Sequence, residues 1–504
     1  MIKLNQKLAT QSIRALKSYP TTLNRPGCFN RTLFTNIKNL NKSNNASKSY
    51  NVYRGDQKKV AFLPLLFKFS VVTLVGATVY YVYNLSQIDA SLELEGEEAG
   101  EKRERKQKIQ EKLKDITPIS EEKADFLLNE NQNQISIDLS SVENPITSKL
   151  RIYSNQVASN SPIEDRFFIS SSPENNQIIL GVFDGHSGFN CSEFVSKKLP
   201  SEYNKIVSPF INSVSAELLD RVTAMNRIED IQKIIKQTFL SVDNQIVFRH
   251  KSNKFKLGDL LPGINGSCAI MASVDVKNGH VFVSNTGDCR AVIGRLTEDG
   301  RWRAVPLSTD HITQNPSEFS RILKLHPGEE DTVIKRDRIL GSLQPTRAFG
   351  DARYKWSIED HENIYQKVLP NPKPMPKNYL SPPYVTAEPD VSYHKFDPRK
   401  DRFIVLATDG LYDELTNQQI VELVGDHLVS PPDSKSGKDY RKKANTTDIY
   451  NFKDLNLSTH LIRNALNDCP LDNQEGTLLR KLLALQAPKS RRYRDDITVL
   501  VVTF

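Results

Sequence analysis

The chain has 504 residues, 38% hydrophobic and 25% charged, the balance of a globular protein and not of a disordered or fibrous one. Its net charge of +8 is local: the first 60 residues hold twelve Lys and Arg against one acid, Asp56, so the rest is mildly acidic and a nucleic-acid partner is not expected. Five scattered cysteines (Cys28, Cys191, Cys268, Cys289, Cys469) with no Cys-x-x-Cys argue against a zinc or disulfide framework and for buried reduced thiols.

In chain order, residues 1–55 are rich in Arg, Lys, Ser, Thr and Asn, and Leu8, Ala9, Ile13 and Leu16 lie opposite Lys7, Arg14 and Lys17 on a helical wheel. This is the pattern of a mitochondrial transit peptide. Residues 60–85 are expected to form one transmembrane anchor in the inner mitochondrial membrane. Phe69–Tyr83 carries no charge, and with Ala61–Phe67 the stretch reaches the ~20 residues that cross a bilayer. Lys68 can snorkel, and Tyr80, Tyr81 and Tyr83 suit an interface. Residues 86–145 read as a charged linker, with Glu93–Asp115 a solvated helix. A catalytic domain is expected over 146–504, closed by a strand from Ile497 to Phe504.

Within that domain the apolar run Ile178–Phe183 reads as a buried strand that stops at an Asp184-Gly185-His186 turn. Similar acidic edges recur at Glu164-Asp165 before Arg166–Ser170, at Asp288 before Arg290–Ile293, at Asp409-Gly410 after Phe403–Ala407 with Asp413 just beyond, and at Asp495-Asp496 before the last strand. Carboxylates gathered at strand ends repel one another unless cations neutralise them, and with little His or Cys they suit Mg²⁺ or Mn²⁺. Cys289 and Arg295 have the Cys-x5-Arg spacing of a thiol phosphatase, but the residues between them, Arg-Ala-Val-Ile-Gly, favour a strand over a phosphate loop.

These segments, with Asn265-Gly266-Ser267 and Leu343–Asp351, resemble the ordered motifs of the type 2C metal-dependent Ser/Thr protein phosphatases, from about Ser148 to Phe504. Leu343–Trp356 and Pro382–Pro389 are most similar to the mitochondrial pyruvate dehydrogenase phosphatase branch. The resemblance implies an α+β fold, a four-layer α-β-β-α sandwich of two antiparallel sheets flanked by helices, with the metal site at one end. It implies that Asp184 bridges two Mg²⁺ or Mn²⁺ ions with help from the Gly185 carbonyl, and that Asp409 and Asp495 hold the first. Glu164 and Asp165 then serve the second ion, and Asp288 and Asp413, with Asp409, match a weaker third site. A metal-bridging water attacks phosphorus, and His186 is the acid for the Ser or Thr leaving group. The substrate is a phosphorylated mitochondrial protein, with pyruvate dehydrogenase as one candidate. Phosphoproteins of the intermembrane space, or a pseudophosphatase that only binds them, are the alternatives.

Two positions depart from the family pattern. Asn160 stands where many members have an arginine for the substrate phosphate, and is expected to bind that phosphate as a neutral amide without charge assistance, while Asp496 replaces a common Asn; both changes occur in the pyruvate dehydrogenase phosphatase branch. Arg347 and Asp351 read either as site residues or as a structural ion pair. Residues 357–381 are expected as a loop near the cleft and 430–447 as a polar insertion.

Overall fold

The chain divides into two units, Met1–Ser86 and Gln87–Phe504. The computed structural model describes residues 96–504, apart from 141, 143–145, 173–175, 213–220, 252–254, 370–371, 430–453 and 468–476. The expected transit peptide, anchor and polar insertion, and Cys28 and Cys469, lie outside the described residues. Among the described residues, no helix is long and apolar enough to cross a membrane.

Two antiparallel sheets make the centre. The first has the order β1 (Asn133–Asp138), β2 (Lys149–Val157), β14 (Ile497–Thr503), β13 (Asp401–Ala407), β7 (Arg290–Leu296) and β8 (Trp302–Pro306). The second has the order β12 (Asp390–Lys395), β6 (His280–Thr286), β5 (Gly266–Asp275), β4 (Gln177–His186) and β3 (Arg166–Ser172), with the short β11 (Phe349–Gly350) on β5. A small hairpin of β9 (Ile334–Lys335) and β10 (Arg338–Ile339) stands apart.

The strands are apolar on both faces because each sheet is covered twice. On β4, Ile178, Leu180 and Val182 join the core between the sheets, where they meet Ile404 and Leu406 of β13 and Leu500 and Val502 of β14. The alternate residues Ile179 and Phe183 pack instead under α3 (Asn190–Ile206) and α4 (Arg221–Val247). The outer face of the first sheet, Val405, Val499 and Val501 among others, packs with α7 (Asn417–Val429), α8 (Leu457–Leu466) and α9 (Thr477–Ala484). This is the α-β-β-α sandwich that the resemblance implies. Between these helices in sequence lie α5 (Leu257–Ile264) and α6 (Pro316–Leu325).

The helix expected within 93–115 is present, but the linker expectation needs correction. A helix α1 covers 96–112, α2 spans Glu121–Asn129 behind a Ser120 N-cap, and β1 pairs along β2 from Asn133↔Ser154 to Asp138↔Lys149. Leu113 is fully buried, with Ile109 and Ile116 against the same cluster. Charged neighbours hide this stripe, but its spacing of four and three residues is helical. Likewise, Ile135 and Ile137 alternate as a strand does.

Candidate active site

Register brings the acidic edges to one end of the sandwich. Phe183 of β4 lies opposite Arg166 at the start of β3, while Ala407 at the end of β13 lies opposite both Arg290 and Val499. Ile497 at the start of β14 lies opposite Val157 at the end of β2. The loop from β2 to β3 therefore crosses between the sheets at this end. Asp165 fixes the crossing, accepting a hydrogen bond from Thr498 Oγ1 at 2.8 Å.

The first correction concerns Asp184. The strand does not stop before it: Asp184, Gly185 and His186 pair with Cys268, Ser267 and Gly266, and the turn comes at Ser187 (φ 60°) and Gly188 (φ 122°). Asp184 therefore continues the inward face of Ile178, Leu180 and Val182 and presents its carboxylate where the inter-sheet core opens. Asp184, Asp288 and Asp409 each offer an oxygen within 4.8 Å of the others. The glycines after Asp184 and Asp409 are demanded by close approach. A Cβ on Gly185 would sit 2.4 Å from the Glu164 carbonyl, and one on Gly410 would sit 2.1 Å from the Asp496 carbonyl. What comes so close is the neighbouring acidic loop.

The electrostatics follow from this crowding. Burial, then the charges of Asp409, Asp165, Asp495 and Asp288, push Asp184 well above the usual carboxylate range. Asp409 and Asp165 are raised for the same reasons, burial first, and Asp288 is raised chiefly by burial. Asp495 is pushed up to about 6 by burial, against the pull of Arg491. Asp409 Oδ1 is buried with no hydrogen-bond partner. An orphaned buried oxygen inside an all-oxygen, like-charged donor set fits a hard divalent cation.

Around this centre the other predicted residues divide. Glu164 stands beside it, its N–H donating to Asp496 Oδ2 at 2.8 Å. Asp413 is 44% exposed at its side chain, and Arg105 Nη1 donates to its Oδ2 at 2.7 Å. Asn160 donates from Nδ2 to both Glu164 Oε2 (3.2 Å) and Asp496 Oδ2 (3.0 Å), so both amide hydrogens face carboxylates. His186 Nε2 lies 2.7 Å from Asp351 Oδ2. Burial alone would lower the His186 pKa, but the Asp351 carboxylate outweighs it and holds the imidazole above its ordinary value.

Several residues were missed as site members or only half read. Asp351 belongs with His186, whereas Arg347 bonds Glu318 (2.6 Å) and Asp390 (2.9 Å) elsewhere. The Asp351 segment is pinned by Asp243 of α4, which accepts from Gly350 N–H at 2.8 Å and Lys355 Nζ at 2.7 Å. Asp496 is the hub of the crossing loop, accepting from the N–H groups of Ser159 (2.5 Å), Asn160 (2.9 Å) and Glu164. Arg491 bonds Asp495 Oδ2 at 2.6 Å with its side chain 48% exposed. The doubled Asp495-Asp496 was the one local signal for any of these. Cys289 is fully buried, its thiol pushed well up by burial and by Asp184, and Arg295 of the Cys-x5-Arg pair bonds Asp401 at 2.7 Å. That pair is not a thiol-phosphatase site.

Fold and site together define a class: a double β-sheet sandwich with a like-charged carboxylate cluster at one end that could hold a divalent metal. Comparison with known proteins makes it particular. The family model described as "Protein phosphatase 2C" matches residues 155–449, more than half of the chain. A protein phosphatase 2C homolog of Schizosaccharomyces pombe is 39% identical over 69% of this chain and 79% of its own length. Human pyruvate dehydrogenase (acetyl-transferring)-phosphatase 1, mitochondrial, is 34% identical over 71% of this chain and 78% of its own. Its Saccharomyces cerevisiae namesake is 34% identical over 69% and 68%. The chain belongs to the protein phosphatase 2C family, a metal-dependent family, and is a protein Ser/Thr phosphatase.

Proposed function

We propose that this chain hydrolyses phosphoserine and phosphothreonine of mitochondrial proteins at the Asp184 centre. The convergence of Asp184, Asp288 and Asp409 carries the reading. Asp184, with the Gly185 carbonyl, Asp409 and Asp495 would hold one cation. Glu164 and Asp165 would serve a second, and Asp288, Asp409 and Asp413 a third. Mg²⁺ or Mn²⁺ bound there supplies Lewis acidity, lowering the pKa of water and screening the phosphate.

The chain's own groups do the rest. Asp351, 2.7 Å from His186 Nε2, raises the affinity of the imidazole for a proton, which suits His186 as the acid for the leaving serine or threonine oxygen. Asp496 folds the 159–164 loop and so holds Glu164 and Asp165 at this end of the sandwich. With both Asn160 amide hydrogens engaged on carboxylates, Asn160 orders that loop in preference to gripping phosphate. The half-exposed guanidinium of Arg491 takes the phosphate instead, since its charge lies near Asp495, Asp409 and Asp184.

The mitochondrial relatives and the basic 1–55 segment support a mitochondrial location, and phosphorylated pyruvate dehydrogenase is the substrate to try first. The test is phosphate release from a phosphothreonine peptide and from phosphorylated pyruvate dehydrogenase, with Mg²⁺ or Mn²⁺ and with chelator. Metal-dependent release, lost by at least ~10³-fold in Asp184→Asn, is expected. Full activity in that variant or in chelator sinks the reading, and release from the peptide alone removes the named substrate.

A further inference from the structure

The helix between the apolar stretch and the sandwich does more than pack. Leu113 at its end is buried in the cluster that also holds Leu411, Tyr412 and Leu415. That docking lays the basic side of α1 along Tyr412–Glu414, the turn that follows Asp409. Arg105 Nη1 donates to Asp413 Oδ2 at 2.7 Å and to the Asp413 carbonyl at 3.3 Å, and lies 3.6 Å from Glu414. Lys106 lies 3.8 Å from the same Glu414, and Lys102 donates to the Tyr412 carbonyl. At the start of the helix Glu98 binds Arg290 at 3.2 Å, and Arg290 forks onto Asp310.

Asp413 sits one helical turn beyond Asp409, its N–H bonded to the Asp409 carbonyl at 2.6 Å. A carboxylate oxygen held by a guanidinium at 2.7 Å has its charge already answered, and a divalent ion must displace that partner to use it. We propose that Arg105 is an internal counter-cation for Asp413, so that docking of α1 sets how tightly the Asp288–Asp409–Asp413 site takes a divalent ion. The inference rests on the metal reading above and adds a control to it. The site is weak while α1 is docked and strengthens when α1 lifts. Because the Arg105–Asp413 pair is partly exposed, its worth is modest and falls with added salt.

The test is binding of Mn²⁺ to the full chain, with free Mn²⁺ read from its electron paramagnetic resonance signal and no substrate present. Arg105→Ala is expected to tighten the weakest site about fivefold, corresponding to ~1 kcal/mol. Asp413→Ala should lose that site, and Arg105→Ala should add nothing in its background. Lys108→Ala, whose lysine pairs with Glu104 on the exposed side of α1, should match the unaltered protein. Leu113→Ala should shift binding in the same direction as Arg105→Ala by loosening the helix with Arg105 intact, and a thermal melt shows that each variant is folded. An Arg105→Ala curve that superimposes on the parent, or binds more weakly, overturns the proposal while tight sites in the parent leave the metal reading standing. If the parent binds no Mn²⁺, the metal reading fails and the strap falls with it.

Discussion

The molecule buries carboxylates in two regions and treats them oppositely. Beside α6, Glu318 is 2% exposed, yet Arg321 (2.7 Å), Arg347 (2.6 Å) and Thr346 (2.5 Å) surround it. Burial alone would raise its pKa, but these hydrogen bonds outweigh it and hold the group far below the ordinary range. At the sandwich end Asp165 is buried, Asp184 and Asp409 are half-buried beside it, and all three are raised. The chain supplies its own cations at the first region and leaves these three aspartates of the second to be neutralised from outside. A buried acid therefore identifies a site by the sign of its surroundings, not by its burial.

Removing one partner in each region should move stability in opposite directions. Arg347→Ala removes one of the two guanidinium groups on Glu318, leaving Arg321 and Thr346, and is expected to cost up to ~3 kcal/mol in urea unfolding, with Mn²⁺ affinity unchanged. Asp184→Asn removes a like charge from the second region and should stabilise the metal-free protein by ~1–3 kcal/mol while abolishing metal binding. If both variants lose stability in chelator, the contrast is wrong. Chelator alone should lower the melting temperature of the parent and leave Asp184→Asn unmoved.

The clustered aspartates were legible because each ends or begins an apolar strand, a pattern visible within about ten residues. Their partners were not, because the fold brings them from far away. His186 meets Asp351 across 165 residues, and Arg105 meets Asp413 across 308. Asp351 also has a left-handed φ of 50°, a conformation that Asp tolerates better than most residues but that Ala348–Asp351 does not announce as a turn. Asp184-Gly185 looked like a turn because both residues disfavour strands, yet β5 pairs with them in register. At 96–138 charge density masked an apolar stripe, so packed structure was taken for linker.

A self-neutralised acid outside both regions gives the pH test. Asp401, held by Arg295 (2.7 Å), His394 (2.9 Å) and the Asp397 N–H (2.8 Å), has its pKa lowered to about 2 against the pull of burial. Its unfolded value is ~3.9, so the stabilisation is fully present above pH ~4 and disappears as pH falls through 2. The stability gap between the parent and Asp401→Asn should be up to ~2 kcal/mol at pH 5 and shrink steadily toward pH 2. A gap independent of pH would show that Asp401 acts through shape instead of charge.

The smallest expected effect separates the two roles open to Arg491. Its guanidinium is one of the chain's own cations at this end, bonded to Asp495 yet half exposed. If it grips phosphate, Arg491→Ala should raise KM about tenfold, ~1.4 kcal/mol, with kcat and Mn²⁺ affinity little changed. Arg491→Lys should recover part of that loss as a point charge without the fork. If it merely orients Asp495, the variant should instead weaken Mn²⁺ binding and lower kcat, with KM unmoved. The Arg347 variant offers the control, since its cation neutralises an acid and faces no substrate. A change in KM there would mean that KM is reporting general loosening of the fold.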